Sequence, residues 1–379
     1  MVLYIFYYLL LFLNVWMTIL RKRSNLILAG TYILLFILFF SNDASGHDHY
    51  LYKIGFEHPD EKVNLEFLFN YLQDFIRWIG ITDYNVFLAL LFLLCSSFML
   101  MGITYYTKFL HPIAALCLTF VFPQWAVAIR FFLAISIAFL STRFLLKGRW
   151  VTFIFLIFCS ASIHYSLSAL IILLPFFTPK MLRKYDRGDF DGNILSYSIL
   201  AVFLLSICIY FFAENVVYDL AFSTIGGVIG KAALSDVDNK VSAYFEAKTR
   251  FGFLIFTVIY AVNLYMAIVL KKRMMRKNTS EEIRRILYSG TIINKILAIF
   301  IPLVIINLVF GRVLAFGSVI NLAIMGAVIE KVKPLTREDF SFLIKCFIVV
   351  ILSWSVPAIL EINSISPNGL IREVIQFWG

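Results

Sequence analysis

Long apolar runs separated by short charged segments dominate the hydropathy pattern of this chain. An apolar run of about 20 residues is long enough for a helix to cross the hydrocarbon core of a bilayer. The pattern predicts about twelve membrane-spanning helices, at residues 2–20, 25–40, 85–103, 109–123, 124–146, 150–163, 164–178, 194–212, 251–270, 288–310, 313–329 and 341–360. Several of these runs are shorter than usual, which predicts short or broken helices that line a cavity or other parts of the protein.

The composition supports a helical membrane protein. Of the 379 residues, 61% are hydrophobic and 15% are charged, whereas soluble domains carry about 25% charged residues. A transmembrane β-barrel would show segments of about ten residues with alternating polarity, and the runs here are longer and more uniform. The expected fold is therefore an all-α polytopic membrane protein.

Lys and Arg are concentrated in the connections on one side of the predicted spans. The richest tract, 271–277, reads KKRMMRK. By the positive-inside rule this side faces the cytoplasm, and both chain ends then lie outside. The net charge of +10 is thus a topology signal, and it does not indicate a nucleic-acid partner.

We expect residues 1–379 to form a single integral membrane domain, with a first external loop at 41–84. Within this loop, residues 65–79 carry apolar positions at helical spacing. This pattern predicts an amphipathic helix along the outer membrane surface, with Arg77 and Trp78 at head-group level.

A second external loop is predicted at 213–250. It combines glycines with a polar run, and it contains Tyr244 and ends at Arg250. We interpret this loop as a lid over a polar site, with Tyr244 as a candidate substrate contact.

Two arginines, Arg130 and Arg312, are candidates for binding an anion, with Arg250 as a third. Arg130 lies about 9 Å into a predicted span, where a charge is costly unless it faces a cavity or a partner. Arg312 follows at the outer end of a later span, and Arg250 stands at the outer mouth of another. A guanidinium presents paired donors that fit phosphate oxygens, so these residues suit a diphosphate. The structural alternatives are interfacial anchoring and an ion pair with Glu66 or Asp74.

His164 and Asp48 are candidates for proton transfer or for positioning a hydroxyl group. His164 stands between two short apolar runs beside Ser166, and Asp48 follows the second predicted span. The alternatives are a hydrogen-bonded core histidine and a solvated loop carboxylate. A divalent metal site is a further alternative, formed by Asp43, His47, Asp48, His49 and His58, although no DxD signature occurs within this loop.

No established catalytic or cofactor motif accompanies these residues. The sequence lacks Walker A, GxSxG and HExxH patterns, so ATP-driven transport and serine or zinc hydrolysis have no local support. The cysteines all lie inside apolar runs without a CxxC pair, which argues against disulfides and zinc–thiolate sites. We therefore expect neither a cofactor nor a metal.

These candidate residues resemble the EpsG-type, Wzy-like polysaccharide polymerases of bacterial envelopes. The matching pieces are Gly46-x-Asp48-x-x-x-Tyr52, Glu66 before the amphipathic stretch, Ile129-Arg130 inside a span, His164-x-Ser166 between short spans, and the late Arg312. The chain departs from the family pattern after Arg130, where Phe131 replaces a Gln. The nearest amide before the Ile-Arg pair is Gln124, where the family has Asn.

The resemblance implies a metal-independent glycosyltransferase with a GT-C-like helical bundle in the bacterial cytoplasmic membrane. Such enzymes polymerise undecaprenyl-diphosphate-linked oligosaccharide repeat units on the outer face, with lipid diphosphate as the leaving group and a chain-length regulator as a further partner. Arg130, Arg312 and Arg250 would then bind the diphosphate. Asp48 and His164 would act on the acceptor hydroxyl, and the expected substrate contacts are Tyr52, Glu66, Gln124, Ser166 and Tyr244.

Two other functions are weighed against polymerisation. A flippase or transporter of lipid-linked oligosaccharide would show charged residues along its whole path, often with inverted repeats, whereas the candidates here gather at one end. Another outer-face transferase, such as a glycan ligase, would use the same donor chemistry. An acyltransferase would need a histidine that is accessible from the cytoplasm, and His164 is expected on the other side.

Overall fold

The computed structural model of the chain describes residues 2–40, 47–61, 67–116, 129–189, 250–277, 279–301, 309–332 and 335–349, together with Leu195, Tyr197, Ala201 and Leu204. Within these ranges every regular element is helical and no strand occurs. The expected all-α class is confirmed.

The α-helices in chain order are α1 Val2–Leu20, α2 Asn25–Phe40, α3 His47–Glu57, α4 Phe67–Trp78, α5 Tyr84–Tyr106, α6 His111–Leu116, α7 Ile129–Leu146, α8 Trp150–Ala161, α9 Pro179–Arg187, α10 Arg250–Met275, α11 Glu281–Leu297 and α12 Val309–Lys331, with α13 over 337–349. The 3₁₀ helices in the described ranges are Pro59–Glu61, Tyr165–Phe177 and Ala298–Phe300. We call Tyr165–Phe177 the long 3₁₀ helix.

Two described helices, α5 and α7, are long and apolar enough to cross a membrane. The long 3₁₀ helix and α9 would make a third span together, although they meet at an angle of 70°. Shorter apolar helices occupy Phe6–Leu20, Asn25–Ile37 and Trp150–Ala161. The described helices thus agree with a polytopic membrane protein, while the number of twelve spans stays a prediction.

A proline near the end of the long 3₁₀ helix gives one reason why this segment is not α-helical. Pro175 lies inside it, and proline in an α-helix removes a backbone donor and clashes with the carbonyl four residues earlier. A 3₁₀ helix rises about 2.0 Å per residue, so these 13 residues extend about 26 Å. This segment therefore reaches nearly as far as an α-helical span despite its small number of residues.

Helix α11 begins earlier than the hydropathy pattern predicts. The apolar run starts at 288, but the helix starts at Glu281. Ser280 caps it by accepting a hydrogen bond from the Ile283 amide, and two glutamates in the first turn favour the positive end of the helix dipole. The Ser280 cap and the two glutamates thus allow α11 to begin before the apolar run starts.

Close contacts through glycine bring the helices of the bundle together. A Cβ added at Gly102 of α5 would lie 2.7 Å from Cδ1 of Phe139 on α7, and one at Gly290 of α11 would lie 1.8 Å from Cδ1 of Ile324 on α12. Small residues at such positions let membrane helices approach closely. Helix α12 lies centrally and contacts α5, α6, α7, α10, α11 and the long 3₁₀ helix.

The ion pairs at one end of the bundle join residues that the charge pattern assigned to the same side of the membrane. Arg285 pairs with Asp186, Lys331 Nζ lies 2.8 Å from Glu282 Oε1, and Arg273 pairs with Asp339. We call the end that holds these pairs the basic end. The opposite end, which holds α3, α4 and the start of α7, is called the site end.

Candidate functional site

Helix α3 lies within the segment predicted as the first external loop. Asp48 belongs to its first turn, with a side chain outside the described part of the structure. Tyr52 follows one turn later and is 2% exposed. The first loop thus carries a helix that holds the Asp48 and Tyr52 positions.

Tyr52 and Arg130 form the central contact of the site end. Arg130 Nε donates a hydrogen bond to the Tyr52 hydroxyl at 2.8 Å, and its Cζ lies 5.0 Å from the centre of the Tyr52 ring. A neutral phenol holds a guanidinium by a hydrogen bond and a cation–π contact without cancelling its charge. The sequence prediction that both residues belong to one site agrees with this contact.

Helix α4 contacts Tyr52 through a hydrogen bond and a ring contact. Gln73 Nε2 donates to the Tyr52 carbonyl oxygen at 3.2 Å, and the rings of Phe69 and Tyr52 lie 5.5 Å apart. Gln73 is fully buried, and its Oε1 has no hydrogen-bond partner among the described residues. A buried amide oxygen without a partner is costly, and sequence analysis did not single out this residue.

Arg77 directs its side chain toward the end of α3, and its expected position at head-group level stays a prediction. Its Nη1 donates to the carbonyl oxygens of Gly55 and Phe56 at 3.4 and 3.2 Å, and it pairs with Asp74. A cation favours the negative C-terminal end of a helix, so Arg77 stabilises the end of α3. Trp78 is 80% exposed, as an interfacial position requires.

His164 lies between α8 and the long 3₁₀ helix and is 4% exposed. Its Nδ1 lies 2.7 Å from the Ser166 hydroxyl. The hydrogen bond fits two arrangements: the hydroxyl donates and leaves the ring proton on Nε2, or Nδ1–H donates to the hydroxyl. His164 and Ser166, which the sequence analysis named as neighbouring candidates, are therefore hydrogen-bonded to each other.

Three contacts join the His164 segment to the elements around Arg130. The ring of Phe131, the residue after Arg130, lies 5.4 Å from the His164 ring. Ser160 donates to the Ala134 carbonyl oxygen at 2.7 Å, and the Leu68 amide donates to the Ser162 carbonyl oxygen at 3.1 Å. Helices α4, α7 and α8 thus converge where the candidate residues lie. The family departure at Phe131 places an aromatic ring in this contact.

The candidate residues lie at similar heights in the bundle. Trp150 Nε1 donates to the Phe177 carbonyl oxygen at 3.1 Å, which joins the basic ends of α8 and the long 3₁₀ helix. Along the axis of the long 3₁₀ helix, Tyr165 lies about 24 Å from Phe177. Helix α7 brings Arg130 about 24 Å from Leu146. Both groups therefore belong to the site end.

The remaining predicted residues are less fully described. Glu66, Gln124 and Tyr244 lie outside the described residues. Arg250 is the first residue of α10, and Arg312 belongs to the first turn of α12, so Arg312 lies within a helix and not between two spans. The side chains of both arginines are outside the described part of the structure.

The described side chains include no group of three or more His, Cys, Asp or Glu residues placed to bind a metal ion. The alternative metal cluster of the first loop involves Asp43, which is outside the described residues. It also involves His47, Asp48 and His49, whose side chains are not described, and His58, which is exposed.

Sequence analysis missed a second charge inside a predicted span. Lys295 lies in α11 and is 6% exposed, about 21 Å from the start of that helix at Glu281. Beside it, Asn294 Nδ2 donates to Asn321 Oδ1 at 2.8 Å. The rule that selected Arg130, a charged residue within an apolar run, selects Lys295 as well.

Comparisons with known proteins identify the family. No curated protein and no solved structure matches the chain at a significant level. The apolar helices and the family assignment together indicate a membrane protein. The sequence profile of the EpsG family matches residues 26–365, and the chain therefore belongs to this family of glycosyltransferase-like polysaccharide polymerases, as the resemblance predicted.

Proposed function

We propose that this protein polymerises undecaprenyl-diphosphate-linked oligosaccharide repeat units on the outer face of the bacterial cytoplasmic membrane. The observation that supports this most directly is the contact between Arg130 and Tyr52 at the same end as the His164–Ser166 pair. An arginine oriented by a neutral partner near a histidine suits a reaction in which an anionic group leaves and a hydroxyl group attacks.

The reaction transfers a growing glycan to a new acceptor. A hydroxyl oxygen of the acceptor repeat unit attacks the anomeric carbon of the donor glycan. The bond from that carbon to the lipid diphosphate breaks, and the hydroxyl proton passes to a base. We assign Arg130, Arg312 and Arg250 to the developing charge on the diphosphate.

We assign His164 and Asp48 to the acceptor hydroxyl, as the base and as a positioning group, without a metal ion. His164 fits this role when Nδ1–H donates to Ser166, because Nε2 then carries a lone pair. The other proposed substrate contacts are those predicted from sequence, namely Tyr52, Glu66, Gln124, Ser166 and Tyr244. A chain-length regulator remains a proposed partner.

A variant pair on one helix tests this function. Arg130→Ala should lower polymer formation at least about 100-fold, the usual cost of removing a group that stabilises transition-state charge. Arg143→Ala, near the other end of α7, removes a hydrogen bond of 3.3 Å to the Met101 carbonyl oxygen and should leave polymer formation nearly unchanged. The assay is chain elongation from purified lipid-linked repeat units by protein in liposomes.

The same assay separates the alternatives. A polymerase variant leaves single repeat units on the outer face, whereas a flippase defect leaves them inside. Wild-type protein that moves repeat units across the bilayer but never elongates them would contradict the proposal, and so would an Arg130→Ala variant that makes long polymer.

A further inference from the structure

A large apolar cavity lies within the bundle, between α2, α5, α6, α7 and α12. Its volume is about 320 Å³, roughly twice the ~150 Å³ of a dry cavity that binds benzene. We call it the apolar cleft. Most of its lining is aliphatic or aromatic, including the rings of Tyr32, Phe92, Phe132 and Phe139. A cavity of this size and lining suits a hydrocarbon group of ten or more carbons.

The cleft runs along the bundle axis. On α5 it is lined by Phe92, Ser96, Met99 and Ile103, which recur at the spacing of one helix face. The stretch from Phe92 to Ile103 rises about 16 Å. An elongated cavity of this kind fits a chain that lies parallel to the membrane-crossing helices.

One polar group at the wall of the cleft, the Thr31 hydroxyl, has its hydrogen-bond partners within the protein. The Thr31 hydroxyl donates to the Ile27 carbonyl oxygen at 2.8 Å and accepts from Asn14 Nδ2 at 2.8 Å. It therefore makes no demand for water or for a polar ligand. This favours an apolar occupant over a sugar or a head group.

Two helices connect the cleft with the candidate diphosphate site. On α7, Phe132 lines the cleft about 3 Å along the helix axis from Arg130, on the opposite face of the helix. On α12, Val319 lines it, and Arg312 stands seven residues earlier, which is two helical turns toward the site end. Leu100 also lines the cleft and is 43% exposed, so the cleft reaches the bundle surface at this residue, which we call its mouth. A molecule with an anionic group at the site end would thus meet the cleft with its apolar part.

We propose that the apolar cleft binds the isoprenoid chain next to the diphosphate of the lipid carrier. The inference rests on the proposed function, because it takes the lipid diphosphate to be bound at the site end. The rings that line the cleft match the methyl-branched, unsaturated units of a polyprenyl chain, which are broader than a straight acyl chain. The cleft would hold the first few units while the rest of the chain stays in the bilayer.

Photolabelling of the wild-type protein tests the proposal directly. The probe is a polyprenyl diphosphate with a diazirine on its second isoprene unit, added to purified protein in liposomes. Mass spectrometry should find the label on cleft residues such as Phe92 and Met99. Labelling of the lipid-facing Leu93 and Ser97 instead would overturn the proposal. Equal labelling of the cleft by a diazirine phospholipid that excess polyprenyl diphosphate cannot displace would also overturn it.

Two adjacent serines provide a matched pair of variants. Ser96 is buried at the cleft, and Ser97 is exposed on the same helix. Ser96→Phe should fill the cleft and raise the KM for a long-chain lipid substrate about tenfold, with little effect on an analogue whose diphosphate carries no isoprene unit. Ser97→Phe should change neither value. Leu100→Trp, which narrows the mouth without adding buried atoms, should act in the same direction if Ser96→Phe fails to fold.

The two proposals fail in different ways. If wild-type protein elongates lipid-linked repeat units but the probe labels residues outside the cleft, only the cleft assignment is wrong. If the probe labels the cleft and no elongation occurs with any repeat unit, the isoprenoid site stands and the polymerase function is wrong.

Discussion

At the basic end, Arg285 donates to both carboxylate oxygens of Asp186, and Arg273 and Lys277 both contact Asp339. At the site end, the described hydrogen bond of Arg130 goes to the neutral hydroxyl of Tyr52. The first arrangement neutralises cations within the protein. The second contact fixes the direction of a guanidinium through a neutral group, which suits a residue that binds an anionic substrate.

Two buried side-chain amides, one at each end, differ in whether all their hydrogen-bonding atoms have partners. Asn14, toward the basic end, donates to Leu10 and Thr31 and accepts from His111. Gln73, at the site end, has an amide oxygen without a partner among the described residues. Sites that act on substrates commonly retain such costs, whereas structural networks are satisfied. The contrast applies to these two amides, because Thr279 Oγ1 at the basic end also lacks a partner among the described residues.

The largest expected effect concerns stability at the basic end. Burial by itself raises the pKa of Asp339, but hydrogen bonds from Lys277, Thr336 and Arg273 outweigh it and hold the pKa well below its usual value. Asp339→Asn should lower the free energy of unfolding by about 3 kcal/mol at pH 7, because it breaks a buried ionic cluster. Thermal unfolding in detergent measures this, and polymer formation at low temperature should persist.

The effect of Asp339 should depend on pH in a defined direction. A carboxylate with a lowered pKa in the folded state stabilises fully above the unfolded-state pKa of about 3.9 and loses this contribution as pH falls through the folded-state value. The difference in melting temperature between wild type and Asp339→Asn should be constant from pH 7 to 5 and should shrink below about pH 4. A difference that grows on acidification would contradict this assignment.

Two histidines that are buried in the described part of the structure, His164 and His111, allow function to be separated from stability. His164→Gln should lower polymer formation about 100-fold, as loss of a proton-transfer group commonly does, with a small change in melting temperature. His111 accepts from the Ser24 amide through Nε2 and bonds Asn14 through Nδ1. His111→Gln should therefore cost about 2 kcal/mol of stability and little activity. The reverse pattern would assign His164 to the core.

A smaller effect is expected from two tyrosine hydroxyls. Tyr52→Phe removes the hydrogen bond to Arg130 and should lower polymer formation about tenfold through misorientation of the guanidinium. Tyr106→Phe removes a hydrogen bond of 2.9 Å to Thr142 and should cost about 1 kcal/mol of stability with activity retained. Equal loss of activity in both variants would remove the distinction between the two ends.

The smallest effect is a gain of stability. Gln73→Leu removes a buried amide oxygen that lacks a partner, and Phe69 and Ile76 are buried on the same helix. We expect an increase of about 1 kcal/mol in the free energy of unfolding and reduced activity, because Gln73 also donates to the Tyr52 carbonyl oxygen. Asn14→Leu, at a fully bonded amide, should destabilise the protein. A loss of stability in Gln73→Leu would show that the amide is structural.

Sequence analysis predicted the helical class and the positions of the main apolar helices because hydrocarbon length and backbone hydrogen bonding leave few alternatives. It predicted α5 at 85–103 and the structure has Tyr84–Tyr106. It placed α11 too late, because the first turns of that helix depend on capping by Ser280 and carry charged residues. Apolar periodicity does not detect a helix start of that kind.

At the candidate site, too, some features were predictable from the sequence and others were not. Arg130 and His164 were predicted because charge and polarity inside apolar runs are costly and therefore conspicuous. The support of Tyr52 by Gln73 was not predicted, because a glutamine on an amphipathic helix gives no sign of which face becomes buried. The partners of Arg77 were not predicted for the same reason, since they are carbonyl groups of α3, which belongs to a different part of the chain.

The sequence by itself determined that this chain is a helical membrane protein of the EpsG family, with polar residues gathered toward one end, because the cost of placing charge and open backbone in lipid acts on every residue locally. Only the tertiary structure decided that the phenol of Tyr52 meets Arg130, that Phe131 joins His164 to α7, and that an apolar cleft lies below them. These features depend on how distant helices pack, and packing is set by the fit of whole surfaces that no single segment contains.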